Sequence, residues 1–217
     1  VVPTASEGSD GENLEHFADF LRNAGATHVV VLHARSHDQA NDPAFLKPLD
    51  NANGVWFSGG HQIRLAQRYR GTAFESRVKR VVQRGGVVGG TSAGASFLAR
   101  VMITGGIDRA QVGAGLDLIP DVVIDQHFLQ RNRFSRLLGV LDEHPQLLGL
   151  GIDEATAVVI RGGRLDVVGQ SFVIACAGAR EREGRTRIVA LKHGEGLNLA
   201  MLRRPEPRTD RPALDDH

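Results

Sequence analysis

The sequence predicts an α/β protein built on a doubly wound, mostly parallel sheet with helices on both faces and hairpins toward its C-terminal end. Three observations carry that expectation. Short continuous apolar runs alternate with helix-period segments, glycine-bearing turns follow the runs, and beyond Glu143 the pattern changes to short strands joined by tight turns.

In chain order, Ser9 and Glu12 have capping-box spacing, and Leu14, Phe17, Ala18 and Leu21 then recur at helical period until Gly25. Val29 to Leu32 is a short apolar run, the pattern of a strand covered on both sides. Asp42-Pro43 opens a brief helix. Gly54 to Phe57 is the next strand, and Ser58-Gly-Gly60 turns into a helix from about His61. Thr72 and Glu75 give a second capping box, opening a helix that carries Phe74, Val78, Val81 and Val82 and stops at Gly85-Gly86. Gly86 to Gly89 is a strand and Ala93 to Val101 a helix. A strand over Asp121 to Asp125, a helix over Arg133 to Glu143 and an apolar run over Leu148 to Ile152 follow. Thr156 to Ile160 and Arg164 to Val168, joined by Arg161-Gly-Gly163, read as a hairpin flanking the sheet. The charge-dense stretch Arg180 to Arg187 reads as a solvated hairpin tip.

The 217 residues fit one domain, expected over residues 1–203, with a Pro-, Arg- and Asp-rich tail over 204–217. The chain starts without Met at Val1-Val-Pro-Thr-Ala-Ser, which reads as a strand end running into a loop, so residues upstream are expected. Charged residues are 24% of the chain and balance to +1, which argues against a nucleic-acid footprint and for a small molecule or peptide as partner. A single cysteine, Cys176, excludes an internal disulfide framework, and its apolar setting reads as packing. No apolar run approaches the roughly 20 residues that span a bilayer, and no leader pattern is present, so a cytoplasmic, membrane-free protein is expected. With neither a His-Glu-x-x-His helix nor a cysteine pair, no metal and no cofactor are expected.

Gly90-Thr-Ser-Ala-Gly94 matches the nucleophile elbow and has the strand before and helix after that the pattern requires. Flanking glycines allow a sharp turn that lifts the Ser92 hydroxyl out of the sheet, and the Ala93 N–H becomes a first oxyanion donor. A glycine turn that only packs a helix on a strand, or cradles a phosphate, is the plainer alternative; no P-loop lysine follows. An alcohol nucleophile needs a base, and nine histidines are available. His127, after the strand ending at Asp125, lies where a sheet delivers residues to the edge that holds Ser92; His33 and His61 also occupy strand or turn ends. For the carboxylate that orients the imidazole, Asp153 and Glu154 both follow a strand end, and spacing does not choose between them. These carboxylates lie beyond His127, whereas an α/β-hydrolase runs nucleophile, acid, histidine, so the ordinary lipase or esterase plan fits poorly.

Four motifs in order, Trp56-Phe-Ser-Gly-Gly-His-Gln62, Gly89-Gly-Thr-Ser-Ala-Gly-Ala95, Asp125-Gln-His-Phe-Leu-Gln-Arg-Asn-Arg-Phe-Ser-Arg-Leu137 and Gly151-Ile-Asp-Glu-Ala-Thr-Ala157, resemble the cyanophycinases. That serine peptidase family is related to aspartyl dipeptidases and, more distantly, to class I glutamine-amidotransferase-like domains. The resemblance runs from Pro3 to about residue 175. It implies a serine exopeptidase that releases β-aspartyl-arginine dipeptides from cyanophycin, a poly-aspartate chain bearing arginine on each side chain. It further implies Ser92 as nucleophile, His127 as base and Glu154 as orienting carboxylate, with Gly60 and Ala93 as oxyanion donors. Gln62, Asp125, Gln126, Arg131, Arg133 and Arg136 are then implied to line the substrate pocket, and a homodimer is implied as the assembly. Guanidinium forks suit a substrate carboxylate, and Asp125 suits a substrate guanidinium; a solvated helix face is the plainer reading of the arginines.

Two departures stand out: His61 replaces the family's usual Asp, and the strand and glycine-rich loop that normally precede Pro3 are absent. Two alternatives stay open, a related peptidase acting on short aspartyl or isoaspartyl peptides and a non-catalytic binding protein on the same fold.

Overall fold

The computed structural model describes residues 1–11, 14–119, 121–178 and 187–202. Its first helical segment is broken. Instead of one helix between Ser9 and Gly25, there are short 3-10 turns at Glu7–Asp10 and Glu15–Ala18 and a one-turn helix α1, Asp19–Asn23. Ser9 does not cap forward; its hydroxyl donates back to the Ser6 carbonyl at 2.6 Å, and Glu12 lies outside the described residues. Helix α2, Pro43–Leu46, opens as expected, with the Asp42 carboxylate accepting from the Ala44 N–H.

Strand β1, Gly54–Phe57, leads into α3, Gln62–Tyr69, and α4, Ala73–Gln83, leads into β2, Val87–Gly90. The α4 start differs from the expected capping box. Thr72 is buried and its hydroxyl donates to the Tyr69 carbonyl at 2.6 Å, while Glu75 accepts from Gly71 N and the free Ala73 N–H is taken by Asn41 Oδ1 at 2.8 Å. A tertiary neighbour thus replaces the local partner. Phe74, Val78 and Val81 face inward, with Phe74 stacked on Tyr69 at 4.1 Å and edge-on to Phe57 at 6.3 Å.

β1 and β2 pair in parallel with Phe57 opposite Gly90, so both carboxyl ends finish at one level. On the other side of β1, Val2 bridges Phe57 in parallel, and Leu32 N donates to Val1 O at 2.8 Å. The expected strand at Val29–Leu32 is held by this bond and by the Val1 ammonium, which donates to Val30 O at 2.7 Å, without forming a regular strand. Val30 is 51% exposed, so the run is not covered on both sides.

Helix α5 spans Ala93–Phe97 and stops short of the expected Val101, which instead starts β3, Val101–Gly105, antiparallel to β4, Gln111–Ala114. The returning chain takes the carbonyls that a longer helix would use: Gly115 N donates to Arg100 O and Leu116 N to Phe97 O. Strand β5, Val122–Gln126, is joined through α6, Phe134–Glu143, to the parallel β6, Leu148–Ile152. Val122 and Ile124 pack with Leu148 and Leu150 in one apolar cluster, and Val123 packs with Leu137 and Leu141 in another. Both faces of β5 are covered, which is why its sequence is an unbroken apolar run.

The hairpin β7, Thr156–Arg161, with β8, Arg164–Gly169, forms as expected. Strand β9, Val173–Ala177, pairs antiparallel with β6, and β10, Arg187–Leu191, pairs with β9. β11, Gly196–Asn198, joins β8, and α7, Leu199–Leu202, closes the described chain. Residues 179–186, most of the expected hairpin tip, and 203–217, including the expected tail, lie outside the described residues.

The α/β class is the one expected, but among the described residues the strands form separate ladders of mixed direction. Parallel pairing is confined to β1/β2, β5/β6 and isolated bridges; β3/β4, β7/β8, β9/β10, β6/β9 and β8/β11 are antiparallel. No helix among the described residues is long and apolar enough to cross a membrane.

Candidate active site

Two parallel pairs deliver the chemistry to one edge: β2 ends in the Ser92 turn, and β5 and β6 end at His127 and Glu154. Ser92 has φ 52° and ψ −111°, a conformation that non-glycine residues rarely adopt. Its turn is pinned by hydrogen bonds from Thr91 N to Phe57 O, Gly94 N to Thr91 O and Ser96 N to Ser92 O. The flanking glycines are required by close approach. A Cβ on Gly90 would fall 2.4 Å from the Gly94 carbonyl carbon, and one on Gly94 would fall 2.3 Å from Phe57 O.

Ser92 Oγ lies 2.8 Å from His127 Nε2, and His127 Nδ1 lies 2.6 Å from Glu154 Oε1. The carboxylate accepts from Nδ1–H, which leaves Nε2 as the acceptor for the serine proton. His127 is itself at φ 53°, and Phe128 N rejoins the β5/β6 ladder by donating to Ile152 O. The imidazole is 22% exposed and the Glu154 carboxylate 52%, so water reaches the outer member of the series and competes for that hydrogen bond.

The turn after β1 lies alongside. A Cβ on Gly59 would fall 3.4 Å from Ser92 Cβ, and Gly60, at φ 134°, backs so closely onto Ala5 that its own Cβ would fall 2.1 Å from the Ala5 carbonyl oxygen. His61 N donates to that same carbonyl at 2.8 Å, so the segment before the first 3-10 turn braces this loop. Ala93 is fully buried at the start of α5.

A cavity of about 520 Å³ opens at Ser92 and His127 and is walled by Gly60, Gln62, Gln126 and the three arginines. A larger cavity, about 1270 Å³, also reaches Ser92 along β2 and β7, but the arginines line only the smaller one. Asp125 does not reach that smaller cavity. It is 1% exposed, with Oδ2 accepting from Arg136 Nε at 2.9 Å, Oδ1 paired with Arg136 Nη2, and Arg133 Nη1 at 3.4 Å. It thus anchors the arginines rather than offering a free carboxylate to a substrate guanidinium. Arg133 also donates to Gln126 O and Oε1 at 2.5 and 2.7 Å, and Gln62 Nε2 donates to Ile103 O at 2.8 Å. Burial, with repulsion from Arg136 and Arg131 and against attraction to Asp125, holds the Arg133 guanidinium below its ordinary pKa. Arg131 is exposed at the cavity rim.

The competing histidines have other partners than Ser92. His33 is buried with Nδ1 2.9 Å from Thr4 Oγ1, and His61 lines the cavity but pairs with Glu7 at 3.1 Å. Cys176 is fully buried, and burial pushes its thiol up to about 11, in keeping with packing. Thr104 and Ile107 also line the cavity; no signal in the sequence marks them, because their hairpin follows a stretch that reads as helix.

The sequence model of a family described as peptidase family S51 matches residues 1–168. A cyanophycinase from Geminocystis herdmanii is 35% identical over 182 residues, covering 80% of this chain and 66% of that protein. The cyanophycinase of Trichormus variabilis is 37% identical over 185 residues, covering 80% and 61%. This chain therefore spans less than two thirds of the length of these curated relatives. Among solved structures, a peptidase from an acI-B1 actinobacterium superposes with a TM-score of 0.73 at 27% identity, covering 91% of this chain and 81% of that one. A putative peptidase E from Listeria monocytogenes, at 17% identity and a TM-score of 0.54, shares the fold, covering 78% of this chain and 84% of that one.

Proposed function

The chain belongs to peptidase family S51, and on that premise we propose that it is a serine exopeptidase releasing β-aspartyl-arginine dipeptides from cyanophycin. One observation carries the reading: Ser92, His127 and Glu154 stand in hydrogen-bond series, and Ser92 and His127 line a cavity whose wall bears three arginines. We read the fold as the doubly wound, amidotransferase-like one, in which the parallel pairs β1/β2 and β5/β6 bring their carboxyl ends to one edge.

In this mechanism His127 Nε2 takes the Ser92 proton as Oγ attacks a backbone carbonyl of the substrate. The oxyanion rests on the N–H groups of Gly60 and Ala93, each such donor being worth about 10²- to 10³-fold in rate. His127 then returns the proton to the leaving amine, and water, deprotonated by the same imidazole, clears the acyl-enzyme. Glu154 fixes the imidazole tautomer and stabilises its charged form. Arg131, Arg133 and Arg136 give the cavity the positive field that a product-like carboxylate end requires. The test is release of dipeptide from the insoluble polymer by the wild-type chain and by Ser92→Ala. Release by the wild type that persists in the variant refutes the assignment of Ser92.

A second reading, cleavage of short aspartyl or isoaspartyl peptides, draws support from Asp125. Because Arg136 holds both of its oxygens, the carboxylate is not free for a substrate arginine, whereas the arginines still suit an aspartyl carboxylate. Comparing turnover of polymer with that of isoaspartyl dipeptides separates the two.

A further inference from the structure

Asp153 adjoins Glu154 at the carboxyl end of β6, yet its bonds go to the backbone beside the imidazole rather than to the ring. Its Oδ1 accepts from the N–H groups of Leu129 and Gln130, both at 3.0 Å, and its Oδ2 accepts from Ser171 Oγ at 2.6 Å. The two amides belong to the turn that begins at His127, where the chain leaves β5 through a residue at φ 53°. The turn carrying Asp153 is itself secured: Thr156 Oγ1 donates to Glu154 O, Ser171 N donates to Thr156 Oγ1, and Gln170 N donates to Ala155 O.

We propose that Asp153 is the positioning residue of the hydrolytic series, fastening the backbone that carries His127 to the strand end that carries Glu154. Consecutive carboxylates thereby grip one segment at two points, Glu154 by the ring and Asp153 by the main chain. A carboxylate suits this task because it only accepts, so one group serves several backbone amides and a hydroxyl, and its charge roughly doubles the strength of each bond. Burial opposes ionisation of Asp153, but the bonds from Ser171 Oγ and from the Gln130, Glu154 and Leu129 amides outweigh it and hold the acid below its usual pKa. It is therefore ionised wherever the enzyme works near neutrality. Released from this grip, a left-handed histidine relaxes toward ordinary backbone, and displacement of a catalytic group by about 1 Å lowers rates on the order of 10²-fold.

The inference rests on the reading of Ser92, His127 and Glu154 as a hydrolytic series, and its test is chosen so that either can fail alone. The rate at which a serine-directed fluorophosphonate labels Ser92 needs that series but not the natural substrate. We expect Asp153→Ala to label about 100-fold more slowly than wild type, and Asp153→Asn, which keeps an acceptor for both amides, to label between about two- and ten-fold more slowly. Amide exchange in Asp153→Ala should quicken at Leu129 and Gln130 and not across β5, and any peptide that is turned over should show the loss in kcat with KM within about two-fold. A folded Asp153→Ala labelled at the wild-type rate overturns the proposal. If that variant does not fold, Asp153→Asn decides: the stated loss sustains the proposal and the wild-type rate overturns it. A wild-type chain that is not labelled at Ser92 overturns the series itself, and the positioning role with it. Labelling without hydrolysis of cyanophycin overturns only the substrate.

Discussion

Ser92 and His127 meet at 2.8 Å although each is held at positive φ, 52° and 53°, so the contact joins two strained turns at the ends of separate strands. The strain separates activity from stability. Ser92→Ala is expected to lower peptide hydrolysis by at least about 10³-fold while keeping the strain, and Ser92→Gly to be equally inactive but more stable than Ser92→Ala by about 1 kcal/mol. Comparison of the two melting temperatures checks this, glycine standing about 2–4 °C higher.

Glu154 governs the imidazole through Nδ1, so an isosteric amide should act on rate and not on fold. Glu154→Gln is expected to lower kcat by about 10²- to 10⁴-fold with an unchanged melting temperature, since the amide can favour the wrong tautomer. A kcat within two-fold of wild type, about 0.4 kcal/mol in the barrier, contradicts the role.

The arginines divide by burial. Arg136→Met strands the buried Asp125 carboxylate and should destabilise the protein by about 3 kcal/mol in urea unfolding, much of it recovered by adding Asp125→Asn. Arg131→Ala, at an exposed position, should stay within about 0.5 kcal/mol of wild type and raise KM instead. Equal stability losses in the two arginine variants contradict this division.

His33 supplies a pH dependence. Burial lowers its pKa from 6.5 against the attraction of Asp10, with repulsion from Arg35, Arg64 and Arg68 adding to the lowering, and its Nε2 has no hydrogen-bond partner among the described residues. The neutral ring is favoured in the folded state, so the stability it contributes is present above 6.5 and is lost as pH falls through the lower folded value. Melting temperatures across about pH 7.5 to 5 should fall less in His33→Asn than in wild type; parallel profiles contradict the assignment.

Much of this site was legible in the sequence. Gly90-Thr-Ser-Ala-Gly94 between an apolar run and a helical segment marked the sharp turn at Ser92, because the glycines answer to local sterics. Position favoured His127 without excluding His33 or His61, and spacing left Asp153 and Glu154 level. The resemblance proposed Glu154, and the geometry puts Glu154 on the ring and Asp153 on the backbone. The β3/β4 hairpin was not legible, because its first residues extend the apolar pattern of α5 and only the return of Gly115 and Leu116 ends that helix. Nor was the closed environment of Asp125, which depends on Arg136 folding back from α6.

The chain by itself determined the apolar runs that become β1, β2, β5 and β6 and the bend that lifts Ser92, since each follows from the shape of adjacent residues. Tertiary structure alone decided which imidazole and which carboxylate serve that serine, and that Asp125 faces arginines instead of a ligand. Hydrogen bonding falls away within an ångström, and the partners here are 35, 27 and 11 positions apart, so only the packing of whole strands and helices sets those distances.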